Sequence, residues 1–566
     1  MSQARVAVIG GGLAGIAAAI ALAEAGAAVT LLEARPRLGG ATCSFTRDGL
    51  IVDTGQHVFL GCCTAYRGLL ARLGMTAHAP LQDRFDVTVL APGPQSPRRQ
   101  RLRRTALPGP LHMLPALARY RFLSLAERAS VSRPALAMRR TDPADPVVDE
   151  QRFGDWLAAR GQTDRARRAL WDLFTVSALN IAGDDASLAL AATVVKTGLL
   201  GRNDAADIGV PARPLGELHG DAAATHLANL GAQVFTGAKV SAIEVAEAAN
   251  PASANPTSAN PAPADPAPAK SGPGPADPTS PRFLLRLARP LDPAAPAPGA
   301  HGPAADSAGA DSAAADSAAA DSAAADSAAA NSAAATTLVA ADAVVLAVPH
   351  EAAARLIPPG ALPDAAVGGW AGLGASPIVN VHVIYDRPVT DLPFAAAVDS
   401  PVQWVFDRTR ISGLDRNSPG KPQYLAISLS AADEYVDVPA ADLRERFVPA
   451  LAELFPAARD ARVTEFFVTR ERRATFRQAP GTGRLRPQAA TGLPGLVLAG
   501  AWTATGWPDT MEGAVRSGLA AADELRHTVL SAHELSAPGL SRAGYSGSVV
   551  SGSGTIASAS TIGVRQ

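Results

Sequence analysis

Cysteine is scarce in this 566-residue chain: Cys43, Cys62 and Cys63 are the only three. An odd count without metal-ligand spacing excludes a disulfide framework, predicts no metal site and points to a reducing compartment. Adjacent Cys62 and Cys63 cannot easily bridge each other, and all three are expected to behave as small buried hydrophobes. Net charge is almost absent, at −1 with a pI near 6.8, which argues against a general nucleic-acid binder. No stretch holds about twenty uninterrupted apolar residues, so no bilayer span is expected. The N-terminus lacks a signal-peptide pattern, its one early apolar run being broken by Glu24. The expected location is the cytoplasm or, peripherally, the inner face of the membrane.

Two internal stretches lack large apolar side chains. Residues 247–281 are rich in Pro, Ala, Ser, Asn and Asp, and residues 303–335 repeat an Ala-Asp-Ser-Ala-Ala pentad. Neither can offset the entropy of ordering a chain, and a marginal helix is the most that the alanines allow against recurrent Asp and Ser. The Ser/Gly-rich tail, 534–566, is expected to be disordered.

What the chain does have is concentrated first in residues 5–40. An apolar strand from Arg5 to Ile9 runs into Gly10-Gly11-Gly12-Leu13-Ala14-Gly15, then an Ala/Leu/Ile helix to about Gly26, then a strand ending at Glu33. Gly10, Gly12 and Gly15 make the G-x-G-x-x-G turn. The first glycine permits the tight turn, the second lets backbone approach a pyrophosphate, and the third lets helix and strand pack closely. The helix start favours the anionic bridge, and a carboxylate at Glu33 stands where it can accept both hydroxyls of an adenosine ribose. Strand, turn, helix, strand and acid in this order specify a dinucleotide site, whereas the turn alone would be a weak sign.

A second cluster follows: a short apolar strand to Asp53, a polar Asp-x-Gly-x-His turn through Gly55, Gln56 and His57, and then an expected helix. Polar groups at the end of a strand in an α/β domain are where ligands bind; the alternative is a turn in which Asp53 only makes local hydrogen bonds. Residues 70–220 read as mostly helical with a few strands, including Phe85–Leu90. Within them 98–128 combines the arginines of 98–104 with Leu111, Met113, Leu114, Leu117, Tyr120, Phe122, Leu123 and Leu125, interleaved with Arg119, Arg121 and Arg128. Such a segment suits either a bilayer interface or an ordinary core-facing helix with solvated arginines. From Gln233 short strands return, as in a β-meander and the strand that closes a dinucleotide domain, and 350–469 mixes strands with a helix around Ala441 to Leu454. The final strand, Gly495 to Gly500, and a helix opening at Thr510-Met511-Glu512-Gly513-Ala514 flank Ala501 to Asp509.

The extension Glu33-Ala34-Arg35-Pro36-Arg37-Leu38-Gly39-Gly40 resembles the long fingerprint of flavoproteins with two dinucleotide-binding domains, the superfamily of amine oxidases and phytoene desaturases. "DTGQHVFLGCCTAYRGLLARLG" (53–74), "LPGPLHMLPALARYRFLSLAER" (107–128), "ALNIAGDDAS" (178–187), "VPARPLGELHGDAAATHLANLGAQV" (210–234), "RERRATF" (470–476) and "LVLAGAWTATGWPDTMEGAVRSG" (496–518) resemble, in order, the hydroxysqualene dehydroxylases (squalene-associated FAD-dependent desaturases) of hopanoid biosynthesis. The likeness covers nearly the whole chain outside the low-complexity stretches, and its last motif is the most specific.

The resemblance implies an α/β fold: a Rossmann-like FAD domain from 1–70, 220–349 and 470–533, and an α+β substrate domain from 71–219 and 350–469. It implies FAD, held by Gly10, Gly12, Leu13, Ala14, Gly15, Glu33, Ala34, Arg37, Gly39, Gly40, Gly55, Gln56, Val240, Gly500, Ala501, Met511, Glu512 and Ala514. It implies reduction of hydroxysqualene to squalene by hydride from reduced flavin, with His57, Asp53 or Glu512 as the acid and Phe59, Trp502 and Trp507 walling the substrate. A phytoene-type carotenoid desaturase is the alternative enzyme, and a weak-flavin, non-catalytic partner of terpenoid enzymes is the alternative of another class. Association with other squalene-pathway enzymes is a further expectation. One position departs from the family: its usual Gly-Asp is Gly500-Ala501 here, which removes a carboxylate expected to contact the ribityl–pyrophosphate region.

Overall fold

A computed structural model describes residues 3–246, 281–289, 337–415 and 420–530. The low-complexity stretches 247–281 (except Pro281) and 303–335, and the tail 534–566, lie outside the described residues.

The N-terminal strand Arg5–Ile9 sits at the centre of a five-stranded parallel sheet. Its neighbours are Ala28–Leu32 on one side and Ala343–Leu346 on the other, with Gln233–Phe235 and Leu496–Leu498 at the edges. Strands buried on both faces need nearly continuous apolar sequence, and Arg-Val-Ala-Val-Ile and Ala-Val-Val-Leu supply it. The helix Leu13–Glu24 is alanine-rich and buried over most of its surface, because the closing helix Met511–Leu525 packs directly on it. That approach depends on Gly518, where a Cβ would overlap the Ala14 carbonyl oxygen and come within 3.1 Å of the Ala17 Cβ. A three-stranded antiparallel meander, Val240–Val245, Phe283–Leu287 and Leu338–Ala341, leads back into the parallel sheet.

A seven-stranded sheet forms the second layer, in the order Val463–Thr475, Ser376–Tyr385, Gln423–Leu429, Trp404–Asp407, Phe394–Ala397, Asp86–Ala91, Arg98–Arg103. All its pairs are antiparallel except Phe394–Ala397 with Asp86–Ala91. The helix Ala440–Leu454 covers Val379, Val381, Val383 and Tyr385 with Leu443, Phe447 and Leu451. The opposite face, carrying Ile384 and Tyr424, packs on the hairpin residues Leu50 and Val52. Short helices between Leu114 and Leu199 complete this half.

The sequence reading treats Arg98–Arg104 only as a basic cluster, but the structure makes Arg98–Arg103 an edge strand. Leu102 alone points inward, 1% exposed, while Arg98, Arg99, Arg101 and Arg103 are exposed. Charged side chains on an edge strand block its pairing with another sheet, so composition that hides the strand from pattern analysis is what an edge requires.

Candidate cofactor and active site

Two glycine turns press against each other at the C-terminal end of the central strand. Gly10 adopts φ +105°, and a Cβ there would overlap the Ala347 carbonyl oxygen. A Cβ on Gly15 would overlap the Gly10 carbonyl oxygen, which is why helix and strand can come together only over glycine. The second turn, Leu38-Gly39-Gly40, docks on the first: Gly39 N–H donates to the Gly11 carbonyl at 2.8 Å, and a Cβ on Gly40 would lie 2.9 Å from the Gly12 Cα. Gly12 differs from its neighbours. It caps the helix at ordinary extended angles, and a Cβ on it would meet nothing nearer than the Gly40 Cα, 3.9 Å away. The cradle is therefore crowded everywhere except at the helix N-terminus, where a pyrophosphate fits.

Glu33 braces the cradle. Its Oε2 accepts from Gly11 N–H at 2.6 Å and its Oε1 from Arg35 N–H at 2.7 Å, and the residue is buried. A carboxylate has about four lone-pair sites, so both oxygens retain capacity for ribose hydroxyls. Ala34 and Arg37 are exposed beside it, Leu13 and Ala14 are buried in the helix, and Val240 is buried at the start of the meander. These residues fit FAD.

The three acids expected from sequence have different surroundings. Asp53 is buried in an ion pair with Arg408, and its Oδ1 also accepts from Ser44 Oγ at 2.6 Å and Leu215 N–H at 3.0 Å. Glu512, 1% exposed, accepts from Ala65 N–H at 3.1 Å, Tyr66 N–H at 2.7 Å and Arg516 Nε at 2.7 Å. It caps the helix Thr64–Arg72 from the closing helix, satisfying amides that have no partner within their own helix. Each carboxylate thus accepts three hydrogen bonds, one of them from an arginine.

His57 is different. Its Nδ1 lies 3.1 Å from the Gly55 carbonyl oxygen, which assigns the proton of the neutral ring to Nδ1, and among the described residues Nε2 has no hydrogen-bond partner. Burial pushes the imidazole below its ordinary range, partly opposed by the Gly55 carbonyl and Asp53. The Asn380 side chain donates to the Thr54 carbonyl at 3.3 Å and steadies this turn, in which Gln56 is half-buried.

The closing motif is held by Arg486, a residue that no sequence pattern singles out. Buried, it donates to the carbonyls of Ala501 at 3.0 Å, Thr503 at 2.6 Å and Trp507 at 2.8 Å. Burial lowers its pKa to about 10, which leaves it cationic at neutral pH. Gly500, at φ +138°, donates its N–H to Ser517 Oγ at 2.8 Å, and Thr510 Oγ1 accepts from Gly513 N–H at 3.2 Å to cap the helix that carries Met511 and Ala514. Ala501 is buried, and its methyl lies 3.6 Å from where a Cβ on Gly513 would be. The Asp509 carboxyl is pushed up to about 6 by burial, although its Oδ2 accepts from Phe476 N–H at 2.9 Å.

The aromatic residues divide. Trp502 donates its indole N–H to the Val348 carbonyl at 2.9 Å and meets Trp370 edge-on at 4.8 Å, an interior packing position. Phe59 is buried edge-on against Tyr66 and fills the space over Gly209. Trp507 is half-buried with the Arg516 guanidinium over its ring. Tyr66 extends the buried polar set through its hydroxyl to His219 Nε2 at 2.8 Å, and burial lowers His219 to about 4.

The model of the family "Flavin containing amine oxidoreductase" matches residues 13–261 and 324–526. Hydroxysqualene dehydroxylase of Sinorhizobium fredii is 36% identical over 184 residues, covering 32% of this chain and 38% of that protein. The enzyme of the same name from Rhodopseudomonas palustris is 35% identical over 182 residues, with the same coverages. Zeta-carotene desaturase of Zea mays is 28% identical over 178 residues, covering 30% and 31%. The matched stretch thus spans under two-fifths of the length of these relatives. Among solved structures, putrescine oxidase bound to putrescine superposes with a TM-score of 0.58 at 18% identity, over 93% of this chain and 99% of that one. That likeness establishes the fold alone.

Proposed function

The chain belongs to the flavin-containing amine oxidoreductase family and is an FAD-dependent oxidoreductase, and from that premise we propose that it reduces hydroxysqualene to squalene. The observation that carries the reading is the 35–36% identity to two hydroxysqualene dehydroxylases. The second reading is a phytoene-type carotenoid desaturase, favoured by the 28% identity to zeta-carotene desaturase. Division into an FAD domain (1–70, 220–349, 470–533) and a substrate domain (71–219, 350–469) belongs to the same proposal. So do association with other squalene-pathway enzymes and work at a membrane surface, where so apolar a substrate dissolves.

Loss of an allylic hydroxyl needs a proton on the departing oxygen and a hydride on the carbon, giving squalene and water. Bound FAD, once reduced, supplies the hydride. The two glycine turns and Glu33 would hold the cofactor's phosphates and adenosine ribose, and Arg486 fixes the 501–507 loop. Asp53 and Glu512 position the polar turn and the helix Thr64–Arg72 through the hydrogen bonds they accept. His57 moves the proton: its Nδ1–H is tied to the Gly55 carbonyl, so a proton taken up on Nε2 is the one it can hand to a leaving hydroxyl. Photoreduced protein incubated anaerobically with hydroxysqualene or with phytoene tests the reading. Flavin reoxidation with formation of squalene supports it. No reoxidation by hydroxysqualene, with phytoene desaturated instead by the oxidised enzyme, replaces it with the second reading.

A further inference from the structure

Residues 98–140 carry eleven arginines and a single acid, Glu127, a surplus of ten positive charges in a chain whose net charge is −1, so everything outside the segment sums to −11. Four of the arginines are neutralised by carboxylates from elsewhere: Arg98 by Asp399, Arg101 and Arg103 by Asp86, and Arg104 by Asp207. Arg99, Arg119, Arg121, Arg128, Arg133, Arg139 and Arg140 have no ion-pair partner among the described residues. All but the half-buried Arg128 are exposed. The lone acid is already engaged: Glu127 closes a capping box with Ser124 and accepts from Thr163 Oγ1 at 2.6 Å.

The same segment holds five of the large hydrophobic side chains exposed among the described residues: Leu107 (45%), Leu111 (47%), Leu114 (49%), Leu125 (77%) and Leu136 (65%). On two of the helices other residues are already buried, Ala116 on Leu114–Arg119 and Met138 on Ser132–Arg140, whereas Leu125–Ser130 buries none of its side chains. In Ser132–Arg140, Pro134 and Met138 point inward, while Arg133, Leu136 and Arg140, spaced three and four apart, share the outer face. Leu125 and Arg128 stand three apart on Leu125–Ser130, and Leu111 and Leu114 three apart at the start of Leu114–Arg119. The three helices pack on one another in sequence, so leucines and unpaired arginines alternate across neighbouring elements.

We propose that residues 98–140 are a docking face for an anionic lipid bilayer, with Leu111, Leu114, Leu125 and Leu136 entering the acyl boundary and Arg119, Arg121, Arg133, Arg139 and Arg140 meeting the headgroups. A nucleic acid or other polyanion would use the arginines but gain nothing from exposed leucines, whereas a bilayer interface takes both.

The test is flotation of the full chain with vesicles of phosphatidylcholine doped with phosphatidylglycerol, against vesicles of phosphatidylcholine alone. The wild-type chain should float with the anionic vesicles and bind the neutral ones at least tenfold more weakly. Leu114→Ser/Leu125→Ser/Leu136→Ser should lower partitioning at least tenfold. Arg133→Gln/Arg139→Gln/Arg140→Gln should lower it about a hundredfold, each basic residue near an anionic surface being a factor of about five. Both sets are exposed, so melting curves should match the wild type, and if one set misfolds the other decides. A wild-type chain that does not float overturns the proposal. So does a leucine variant that floats like wild type, which would leave charge alone and mark a polyanion site. Vesicle binding is read without turnover, so its failure leaves the proposed reaction untouched, and a failed turnover assay leaves the surface untouched.

Discussion

Gly12 and Gly15 belong to one motif three residues apart, yet substitution by alanine should damage the protein in opposite ways. Gly12 sits at ordinary extended angles with φ −75°, and a methyl on it would meet only the Gly40 Cα at 3.9 Å. Alanine is a poorer helix cap than glycine by about 0.5 kcal/mol, but it restricts the unfolded chain by about 0.4–1 kcal/mol. The two offset, so Gly12→Ala apo-protein should unfold within about 0.5 kcal/mol of wild type. The methyl nevertheless occupies the one open place at the helix N-terminus. Loss of one charge-assisted bond to phosphate costs about 1.5–3 kcal/mol, which is roughly a ten- to hundredfold loss of FAD affinity. At Gly15 the methyl would overlap the Gly10 carbonyl oxygen and lie 3.0 Å from its carbon. Overpacking costs about 1–3 kcal/mol, with the upper end expected because backbone must move, against about 1 kcal/mol of helix propensity gained. Gly15→Ala should therefore lose about 2 kcal/mol of apo stability. Urea midpoints of the apo-proteins and titration of FAD by fluorescence quenching measure both quantities. Equal apo stabilities for the two variants, or wild-type FAD affinity in Gly12→Ala, would refute the assignment of packing to Gly15 and of phosphate space to Gly12.

Three further outcomes follow. His57→Ala should lower turnover by about a hundredfold or more with little change in FAD content. Because burial holds the ring below its ordinary pKa of 6.5, the protonated fraction falls as pH rises through that lowered value, so wild-type turnover should increase into the acid range and level off; a flat pH profile from acid to neutral removes His57 as the donor. Ala501→Asp should tighten FAD binding by about ten- to a hundredfold and raise the melting temperature only with FAD present, whereas equal affinities by the same titration would mean that another group already serves. Replacing 247–281 and 303–335 by short Gly/Ser turns should leave folding and activity unchanged, because the flanking strand ends already meet, Ala246 N–H donating to the Arg282 carbonyl at 2.9 Å around the first and Leu287 N–H to the Thr337 carbonyl at 3.1 Å around the second; a large loss of folded protein on circular dichroism would show otherwise.

The packing of the glycine turns was legible because it is local. Strand, glycine turn, helix and acid follow within about thirty residues, and each glycine's steric demand is met by neighbours in that span or by one returning strand. The α/β fold was legible for the same reason: the central strands are apolar runs, and the final helix announces itself by its cap. The edge strand Arg98–Arg103 was not, since five of its six residues are polar and only pairing with Asp86–Ala91 defines it. The partners of Asp53 and Glu512 were not legible either. Alone, each is a carboxylate near a ligand motif, and nothing beside it in the chain names the arginine or the amides that it meets.

Sequence by itself determined the packed glycine turns, the order of elements and the family likeness, all of which rest on short-range periodicity and on glycine geometry. Tertiary structure decided which charges are engaged. Asp53 meets Arg408 and Glu512 meets the amides of Ala65 and Tyr66 only because chain segments 355 and about 450 residues apart are brought together. It also decided that Arg486 holds the closing loop and that one ring nitrogen of His57 has no hydrogen-bond partner among the described residues. A side chain's protonation and hydrogen-bond capacity depend on burial and on partners within a few ångströms, and no pattern along the chain encodes neighbours that far away.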